Sequence, residues 1–487
     1  MKRRNFLRCI GTQAMFCACG GYSAMGRIVG GDNKNKPNIL FIFADDQCFE
    51  TIRALGNDEI ETPNLDKLVR GGVTFTHAYN QGSWTGAVCI ASRTMLNTGR
   101  FLWNAKKEQD ENFKDMKKTG RFWGTLIKNA GYETYMTGKW HIRKAPAENI
   151  FDHTKDIRPG MPKQTKEGYD RPHEGQPDKW SPYDKSIGGY WEGGEHWSEV
   201  LVDDAKEFLA ESSNSDKPFF MYLAFNAAHD PRQSPKEYVD KYPLGSVKVP
   251  KNFQHLYPNA DAIGCGPTLR DERLAPFPRT EYAVKVNRQE YYALITHMDV
   301  QIGRILDALK KSGKLDNTYI FFTADQGLAV GHHGLMGKQN MYDHSVRVPL
   351  MVCGPGIPKN KKIDTPVYLQ DIMPSTLELA GVEKPADVQF KSLLPLIRGE
   401  RKRNYDAVYG GYKELQRMVT MGGYKLIMYP NLKKCLLFNL KKDPLEMNNL
   451  AADAKYRPII EKLFARFVQL QKETGDDLKI DISEYTG

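Results

Sequence analysis

The sequence predicts an α/β fold with a large, mostly parallel sheet flanked by helices and a smaller C-terminal antiparallel sheet packed with one helix. Apolar runs of strand length at residues 38–43, 133–137, 219–225 and 318–323 are each followed by a polar cluster. Helical patterns lie between these runs, and strands that alternate with helices are typical of a parallel sheet covered on both faces. Beyond residue 400, short strands follow one another directly, which predicts the separate antiparallel part.

The helices are indicated by their end signals. Thr62 and Pro63 are a typical cap and first residue for a helix that continues through Leu68. Residues 121–130 form a helical pattern that Gly131 ends, and a long helical pattern covers about residues 288–311.

The C-terminal part has a different pattern. Short strand patterns at residues 407–412, 417–421, 424–429 and 436–440 are separated by glycine or polar turns, and a helical pattern at 457–472 ends the series. We therefore predict an export signal over residues 1–30, a main α/β domain over 37–395 and a C-terminal α+β subdomain over 400–487. A Gly-, Pro-, Trp- and Tyr-rich insertion at about 142–200 is interpreted as substrate-side, with a disordered loop as the alternative.

Composition excludes several classes of protein. The 487 residues are 40% hydrophobic and 26% charged, which is typical of a soluble globular protein. No apolar run after the first segment is long enough for a transmembrane span. The net charge is +10, of which the first 36 residues contribute +6. The remaining excess is too small and too dispersed to predict a nucleic-acid partner.

The first residues predict export. Lys2-Arg3-Arg4-Asn5-Phe6-Leu7-Arg8, followed by a weakly apolar stretch to Ala24, is typical of a twin-arginine signal, with a frayed basic terminus as the alternative. We expect a periplasmic or secreted protein of a bacterium, and Cys17 and Cys19 leave lipid anchoring undecided. The cysteines beyond this segment are scattered and predict neither a zinc cluster nor a disulfide framework: Cys48, Cys89, Cys265, Cys353 and Cys435.

Cys89 opens the most informative segment of the chain. The run Cys89-Ile90-Ala91-Ser92-Arg93 begins a helical pattern that Gly99 ends. The N–H groups and the dipole of a helix N-terminus favour negative charge on the side chain there, and Arg93 adds a cation one turn later. The alternative interpretation is a small buried hydrophobic residue at a helix start.

Two polar pairs follow buried strands. Asp45-Asp46 follows the strand at 38–43, and Asp325-Gln326 follows the strand at 318–323. Ligands of a parallel sheet bind beyond the carboxyl ends of its strands. Three carboxylates and an amide oxygen suit Ca²⁺ or Mg²⁺, whereas either pair alone is more often a solvated strand end.

The cysteine motif resembles the signature of the formylglycine-dependent sulfatases, the type I sulfatases of the alkaline-phosphatase-like superfamily, with Ala91 where proline is commoner. The resemblance extends to Gly138-Lys139-Trp140-His141, to His229, and to Lys338 within Gly337-Lys338-Gln339-Asn340. It covers nearly all of the chain beyond the export segment, up to the Asp443-Pro444 turn.

The resemblance implies that a maturation enzyme oxidises Cys89 to formylglycine. It also implies a divalent metal, usually calcium with magnesium as an alternative. The metal ligands carried over from the family motifs are Asp45, Asp46, Asp325, Gln326 and the modified Cys89. Gln326 stands where asparagine or histidine is more common in the family. We therefore expect the geometry of the metal ligands to be the feature in which this chain differs most from the family.

The resemblance also implies the roles of the remaining residues. The hydrated aldehyde at residue 89, assisted by Arg93 and the metal, attacks sulfur while Lys139 and Lys338 hold the sulfate oxygens. His229, with Lys338 as a second candidate, protonates the leaving alcohol, and His141 then removes a proton so that sulfate is expelled. His332, His333 and His344 are equally interpreted as structural or as substrate contacts.

We therefore expect a bacterial exported polysaccharide sulfatase that acts on a sulfated carbohydrate, an algal polysaccharide or a glycosaminoglycan oligosaccharide. The tryptophans of the insertion, Trp180, Trp191 and Trp197, are candidates for stacking on sugar rings. The alternatives are an aryl or choline sulfatase, a phosphonate or phosphate ester hydrolase, and a non-catalytic binder of sulfated glycans.

Overall fold

The computed structural model describes residues 36–162 and 164–486. The predicted export signal, with Cys17 and Cys19, lies outside the described residues. Within the described part of the chain, no helix combines the length and apolar character needed to cross a membrane.

An eight-stranded sheet forms the centre of the protein. From one edge to the other its strands are Lys361–Ile363, Val73–Phe75, Leu350–Cys353, Thr318–Ala324, Asn38–Ala44, Phe219–Ala224, Glu133–Lys139 and His153–Arg158. Of these eight strands, Leu350–Cys353 alone runs antiparallel to its neighbours. The predicted mostly parallel sheet is therefore confirmed.

The middle strands are buried on both faces. All seven residues of Asn38–Ala44 and all six of Phe219–Ala224 are buried. Phe41 pairs with Phe321 on one side and Tyr222 on the other, and Trp123 from a covering helix packs edge-on against Phe41 with 5.1 Å between ring centroids. Continuous apolar strands of this kind are typical of parallel sheets with helices on both faces.

Helices cover the central sheet. Those of six or more residues are Pro63–Gly71, Val88–Thr98, Leu102–Glu111, Phe113–Lys118, Trp123–Asn129, Trp197–Ser213, Glu281–Lys311 and Ile372–Leu379, and Lys236–Val239, Asp343–Val346 and Leu394–Ile397 are shorter. The long helix begins at Glu281, earlier than predicted, because the Thr280 side chain accepts a hydrogen bond from the N–H of Ala283.

A second sheet contains the predicted C-terminal strands. Its order is Lys434–Asn439, Tyr424–Tyr429, Gln416–Met421, Ala407–Tyr412 and Gly82–Ser83, and the helix Arg457–Thr474 packs against it. The last of these strands lies far earlier in the chain and pairs in parallel with Ala407–Tyr412. This pairing ties the C-terminal sheet to the segment that leads into Cys89. The division of the chain into domains at 395 and 400 stays a prediction.

Smaller strands complete the described structure. Ala78–Tyr79 lies between Arg347–Val348 and Val367–Tyr368, and Trp191–Glu192 pairs with Glu195–His196. The segment predicted as an insertion supplies the edge strand His153–Arg158. The Tyr190 hydroxyl in the same segment donates to the carbonyl oxygens of Asn226 (2.6 Å) and His229 (2.9 Å), so the segment contacts the loop that carries His229.

Gly138 is required where the Glu133–Lys139 strand passes its neighbour. Its φ is +89°, and an added Cβ would lie 2.0 Å from the carbonyl oxygen of Ala224. We predict that Gly138→Ala lowers the free energy of unfolding by about 3 kcal/mol, since backbone strain adds to the overlap. Urea denaturation measures the loss. Gly175→Ala is the matched control, because Gly175 has φ +75° with nothing within 4 Å of its added Cβ. An equal loss in both variants would contradict the close-contact explanation.

Candidate active site

The polar residues after the parallel strands meet at one edge of the central sheet. The N–H of Asp45 donates to the carbonyl of Ala227 (2.9 Å), and the N–H of Asp325 donates to the carbonyl of Ala44 (3.2 Å). The N–H of Asp46 in turn donates to Oδ1 of Asp325 at 3.1 Å. These bonds hold the three carboxylates together, as the predicted topology requires.

Cys89 lies in the first turn of the helix Val88–Thr98 and points at these carboxylates. Its Sγ is 3.4 Å from Oδ1 of Asp45 and 4.0 Å from Oδ1 of Asp46, and the residue is 2% exposed. Burial, followed by the charges of Asp325 and Asp45, raises the pKa of the thiol well above its usual range. An unmodified Cys89 therefore stays protonated and is a poor nucleophile.

Each carboxylate has a buried cation as partner. Nε of Arg93 lies 3.0 Å from Oδ2 of Asp325, and Nζ of Lys338 lies 2.8 and 2.6 Å from the two oxygens of Asp46. Lys139 forms an ion pair with Asp45. Lys139 and Lys338 also approach Sγ of Cys89 at 3.4 and 3.5 Å. Three positive and three negative side chains thus surround residue 89.

The ionisation of the cluster depends on its burial. Burial raises the pKa of Asp45, and the neighbouring Asp325 raises it further. Burial also raises the pKa of Asp46. For Asp325, burial acts in the same direction, but Arg93 and Lys139 hold the pKa below its usual value. Carboxylates crowded in this way gain from an additional cation, which relieves their repulsion and their desolvation.

The donor set fits a hard divalent cation. One ligand atom from each of Asp45, Asp46, Asp325 and Cys89 lies within 4.8 Å of the others. Gln326 directs Nε2 to Oδ1 of Asp46 at 3.1 Å, while its buried Oε1 has no hydrogen-bond partner. Rotation of this amide would turn the oxygen towards the carboxylates. Carboxylate and amide oxygens are ligands for Ca²⁺ and Mg²⁺.

The two predicted histidines differ in their contacts. Nδ1 of His229 donates to the backbone carbonyl of Asp230 at 2.7 Å, and its Nε2 lies 3.5 Å from Oδ2 of Asp46. His141 has a left-handed φ of 56° and a buried Nδ1 without a partner. Burial, with the charges of Lys139 and Arg93, lowers the pKa of His141 to about 2. A neutral His141 can accept a proton, although no hydrogen bond joins it to the other predicted site residues that the structure describes.

Several residues at the site were missed by the sequence analysis. Asp230 and Asp271 contact His229 and Lys338, and Arg270 forms ion pairs with both carboxylates. The Asp230 carboxylate directly follows His229 in the chain, which is a weak signal for a partner. Arg270 and Asp271 lie at the start of the 3₁₀ helix Asp271–Leu274, where no local pattern in the sequence marked them.

The other predicted substrate contacts lie in packed surroundings. His332 bonds Glu50 (2.7 Å) and Asn252 (2.8 Å), and its ring stacks on His344. His333 stacks on Tyr342 with 4.0 Å between ring centroids. Of the three tryptophans, Trp180 is buried, Trp197 lies under the guanidinium of Arg158, and Trp191 is half-buried beside Lys185. These contacts support structural roles for the histidines.

A mostly parallel sheet with buried acidic and basic groups beyond the carboxyl ends of its strands is typical of an α/β enzyme, and comparison with known proteins identifies the family. Residues 37–382 match the family model described as Sulfatase, and residues 331–473 match one described as N-sulphoglucosamine sulphohydrolase, C-terminal. The chain belongs to the type I sulfatase family and is a sulfuric ester hydrolase.

Relatives match almost the whole chain. An N-acetylglucosamine-6-O-sulfatase of Bacteroides thetaiotaomicron is 27% identical over 92% of this chain and 88% of its own. A structure in complex with its substrate D-glucosamine-2-N,6-O-disulfate has a TM-score of 0.71 and 24% identity, and the match covers 91% of this chain and 99% of that one. The phosphonate monoester hydrolase of Agrobacterium radiobacter has a TM-score of 0.70 and 20% identity, over 90% and 96% of the two chains.

The Arg93–Asp325 ion pair is predicted to matter for stability as well as chemistry. Both side chains are fully buried, so Arg93→Gln leaves an uncompensated carboxylate. We expect a loss of about 3–5 kcal/mol in the free energy of unfolding of chelator-treated protein, measured in urea. Arg398→Gln, which breaks exposed pairs with Glu378 and Glu400, should cost less than about 1 kcal/mol. Adding Asp325→Asn to Arg93→Gln should recover part of the loss, and strict additivity would contradict direct pairing.

Proposed function

We propose that the protein removes sulfate from a sulfated carbohydrate, an algal polysaccharide or a glycosaminoglycan oligosaccharide, with Cys89 matured to formylglycine and a divalent cation, Ca²⁺ or Mg²⁺. The observation that carries the proposal is the position of Cys89, buried 3.4 Å from Asp45 and within 3.5 Å of two lysine ammonium groups. A sugar substrate is supported by the N-acetylglucosamine-6-O-sulfatase relative and by the solved complex with a glucosamine disulfate.

The metal ligands would be the oxygens of Asp45, Asp46, Asp325 and Gln326, with residue 89. The cation supplies positive charge where negative charge develops on the sulfate group. Maturation of Cys89 by a formylglycine-generating enzyme supplies an aldehyde, whose hydrate has one hydroxyl to attack sulfur and a second whose deprotonation expels sulfate and restores the aldehyde.

The remaining side chains act on the sulfate ester directly. Lys139 and Lys338 reach residue 89 from two sides, so their ammonium groups can hold two sulfate oxygens and orient sulfur for attack. His229 keeps its Nδ1 hydrogen on a backbone carbonyl and turns Nε2 towards the site, so the doubly protonated ring can donate from Nε2 to the leaving sugar oxygen. His141, which matches the histidine of the Gly-Lys-Trp-His motif and has an Nδ1 without a partner, is proposed to accept the proton released at residue 89.

The size of the proposed substrate also supports a location outside the cytoplasm. A sulfated polysaccharide is too large to enter a cell intact, so we propose that the enzyme is exported, as a periplasmic or secreted protein. Its partners are then the glycan and the maturation enzyme.

Conversion of Cys89 is the first test of the proposal. Peptide mass spectrometry of protein co-expressed with a formylglycine-generating enzyme should show loss of the mass of SH₂ and gain of oxygen at residue 89. Cys89→Ala should abolish sulfate release from sulfated oligosaccharides of algal and animal origin with little change in stability. Cys435→Ala, at a buried cysteine of the C-terminal sheet, is the control and should keep its activity.

Three outcomes would contradict this proposal. An unmodified thiol in active protein would remove the formylglycine assignment, and full activity of Cys89→Ala would remove residue 89 from the reaction. Faster turnover of phosphate or phosphonate esters than of any sulfate ester would favour the alternative hydrolase.

Metal binding is predicted to need the oxygen of Gln326. Chelation should abolish activity, and added Ca²⁺ or Mg²⁺ should restore it. Gln326→Met keeps the net charge but removes one oxygen, so calorimetry should give at least about tenfold weaker Ca²⁺ binding. Gln109→Met, at a buried amide outside the cluster, should bind as the wild type does. Unchanged affinity in Gln326→Met would exclude this residue from the ligand set.

A further inference from the structure

Arg270 links the carboxylates of Asp230 and Asp271. These two carboxylates contact His229 and Lys338 of the site. The guanidinium of Arg270 forms an ion pair with the carboxylate of Asp230, with Nη2 at 3.2 Å from Oδ1 and Nη1 closer to Oδ2. The same Nη2 lies 2.5 Å from Oδ1 of Asp271. A planar guanidinium can hold two carboxylates at once, whereas an ammonium group acts as a point charge.

The first carboxylate, that of Asp230, contacts the ring of His229. Oδ1 of Asp230 lies 3.2 Å from Nδ1 of His229, and the same Nδ1 is 2.7 Å from the backbone carbonyl oxygen of Asp230. A carbonyl oxygen can only accept, so Nδ1 carries the hydrogen. Nε2 is thereby left facing the cluster around Cys89, 3.5 Å from Asp46.

The second carboxylate, that of Asp271, contacts Lys338 directly and also through Gln339. Oδ2 of Asp271 lies 3.9 Å from Nζ of Lys338. The same oxygen accepts a hydrogen bond from Nε2 of Gln339 at 2.7 Å, and Oε1 of Gln339 accepts one from the backbone N–H of Lys338 at 3.0 Å. Asp271 therefore orients both the side chain and the backbone of Lys338.

The carboxylates of Asp230 and Asp271 need the guanidinium of Arg270 because both are buried. The side chains of Asp230 and Asp271 are 5% and 6% exposed, whereas that of Arg270 is 31% exposed at the rim. Two buried carboxylates without a shared cation would repel each other and turn towards water or towards the lysines of the site. The guanidinium of Arg270 keeps both in place.

We propose that Arg270 is a positioning residue, which bridges Asp230 and Asp271 and so orients His229 and Lys338 towards residue 89. This inference rests on the proposed function, because it assigns His229 to the leaving oxygen. Arg270 itself contacts neither Cys89 nor the proposed metal ligands.

The consequence depends on the leaving group. A sugar hydroxyl is a poor leaving group and needs a proton as the S–O bond breaks, whereas 4-nitrophenolate leaves without one. Misplacement of His229 should therefore slow release of a sugar far more than release of 4-nitrophenol. A substitution that merely loosened the fold would slow both reactions alike.

Steady-state kinetics of matured, metal-loaded enzyme test the proposal. The substrates are the best sulfated sugar from the oligosaccharide screen and 4-nitrophenyl sulfate. Arg270→Gln should lower kcat on the sugar sulfate by about 30-fold or more, at least about tenfold more than it lowers kcat on 4-nitrophenyl sulfate, because displacement of Lys338 slows both reactions and displacement of His229 slows only the first. Arg270→Lys should recover part of the kcat. Arg273→Gln is the matched control, since Arg273 lies in the 3₁₀ helix Asp271–Leu274, which directly follows Arg270, and stacks over Tyr169.

The kinetic outcomes discriminate between explanations. A raised KM with unchanged kcat would overturn the proposal and make Arg270 a substrate contact. Equal losses of kcat on both substrates, or no loss on either, would also overturn it.

A measurement without turnover separates this inference from the proposed function. In ¹⁵N spectra of histidine side chains, with the signal assigned through His229→Gln, the neutral ring of wild-type His229 should be the Nδ1-protonated tautomer. In Arg270→Gln the ring should populate both tautomers. An unchanged spectrum would overturn the positioning role. A changed spectrum in a protein that releases no sulfate would instead retain the positioning role and remove the proposed function.

Discussion

The structure depends on the balance between three buried carboxylates and three buried cations at the carboxyl edge of the central sheet. Asp45, Asp46 and Asp325 would repel one another in this volume, and each is paired with Lys139, Lys338 or Arg93. Burying so many charges is costly unless each is paired and hydrogen-bonded. The stability of the central sheet offsets this free-energy cost, because continuous hydrogen bonding and an apolar core stabilise its strands.

This balance supports the proposal that the reaction takes place at residue 89. The thiol of Cys89 meets carboxylates on one side and ammonium groups on the other. The same environment is consistent with the proposed sulfate ester substrate, because two ammonium groups and a cluster of possible cation ligands lie beside residue 89. In a sulfuric ester hydrolase of this family, the site is thus organised for an anion that binds next to acidic groups.

The support behind the site comes from distant parts of the chain. Tyr190 from the insertion holds the loop of His229, Arg270 joins two buried acids, and Gly82–Ser83 joins the C-terminal sheet just before the helix of Cys89. A side chain that must be held within fractions of an ångström needs such contacts from several directions. Loops far from the sheet therefore help to hold the side chains at its carboxyl edge in position.

Sequence patterns were enough to predict the α/β class, the positions of the main strands along the chain and most of the residues that meet at the edge. Periodicity, end signals and acid pairs are local, and parallel strands bring their ends together whatever the loops do. The same patterns predicted the long helix too short, because the Thr280 cap lies outside the most regular pattern. The tertiary structure alone decided the ion-pair partners, the unpaired oxygen of Gln326 and the bridge by Arg270, which lies 40 residues from Asp230. Contacts at such separations depend on how loops pack in three dimensions, and no local pattern encodes that packing.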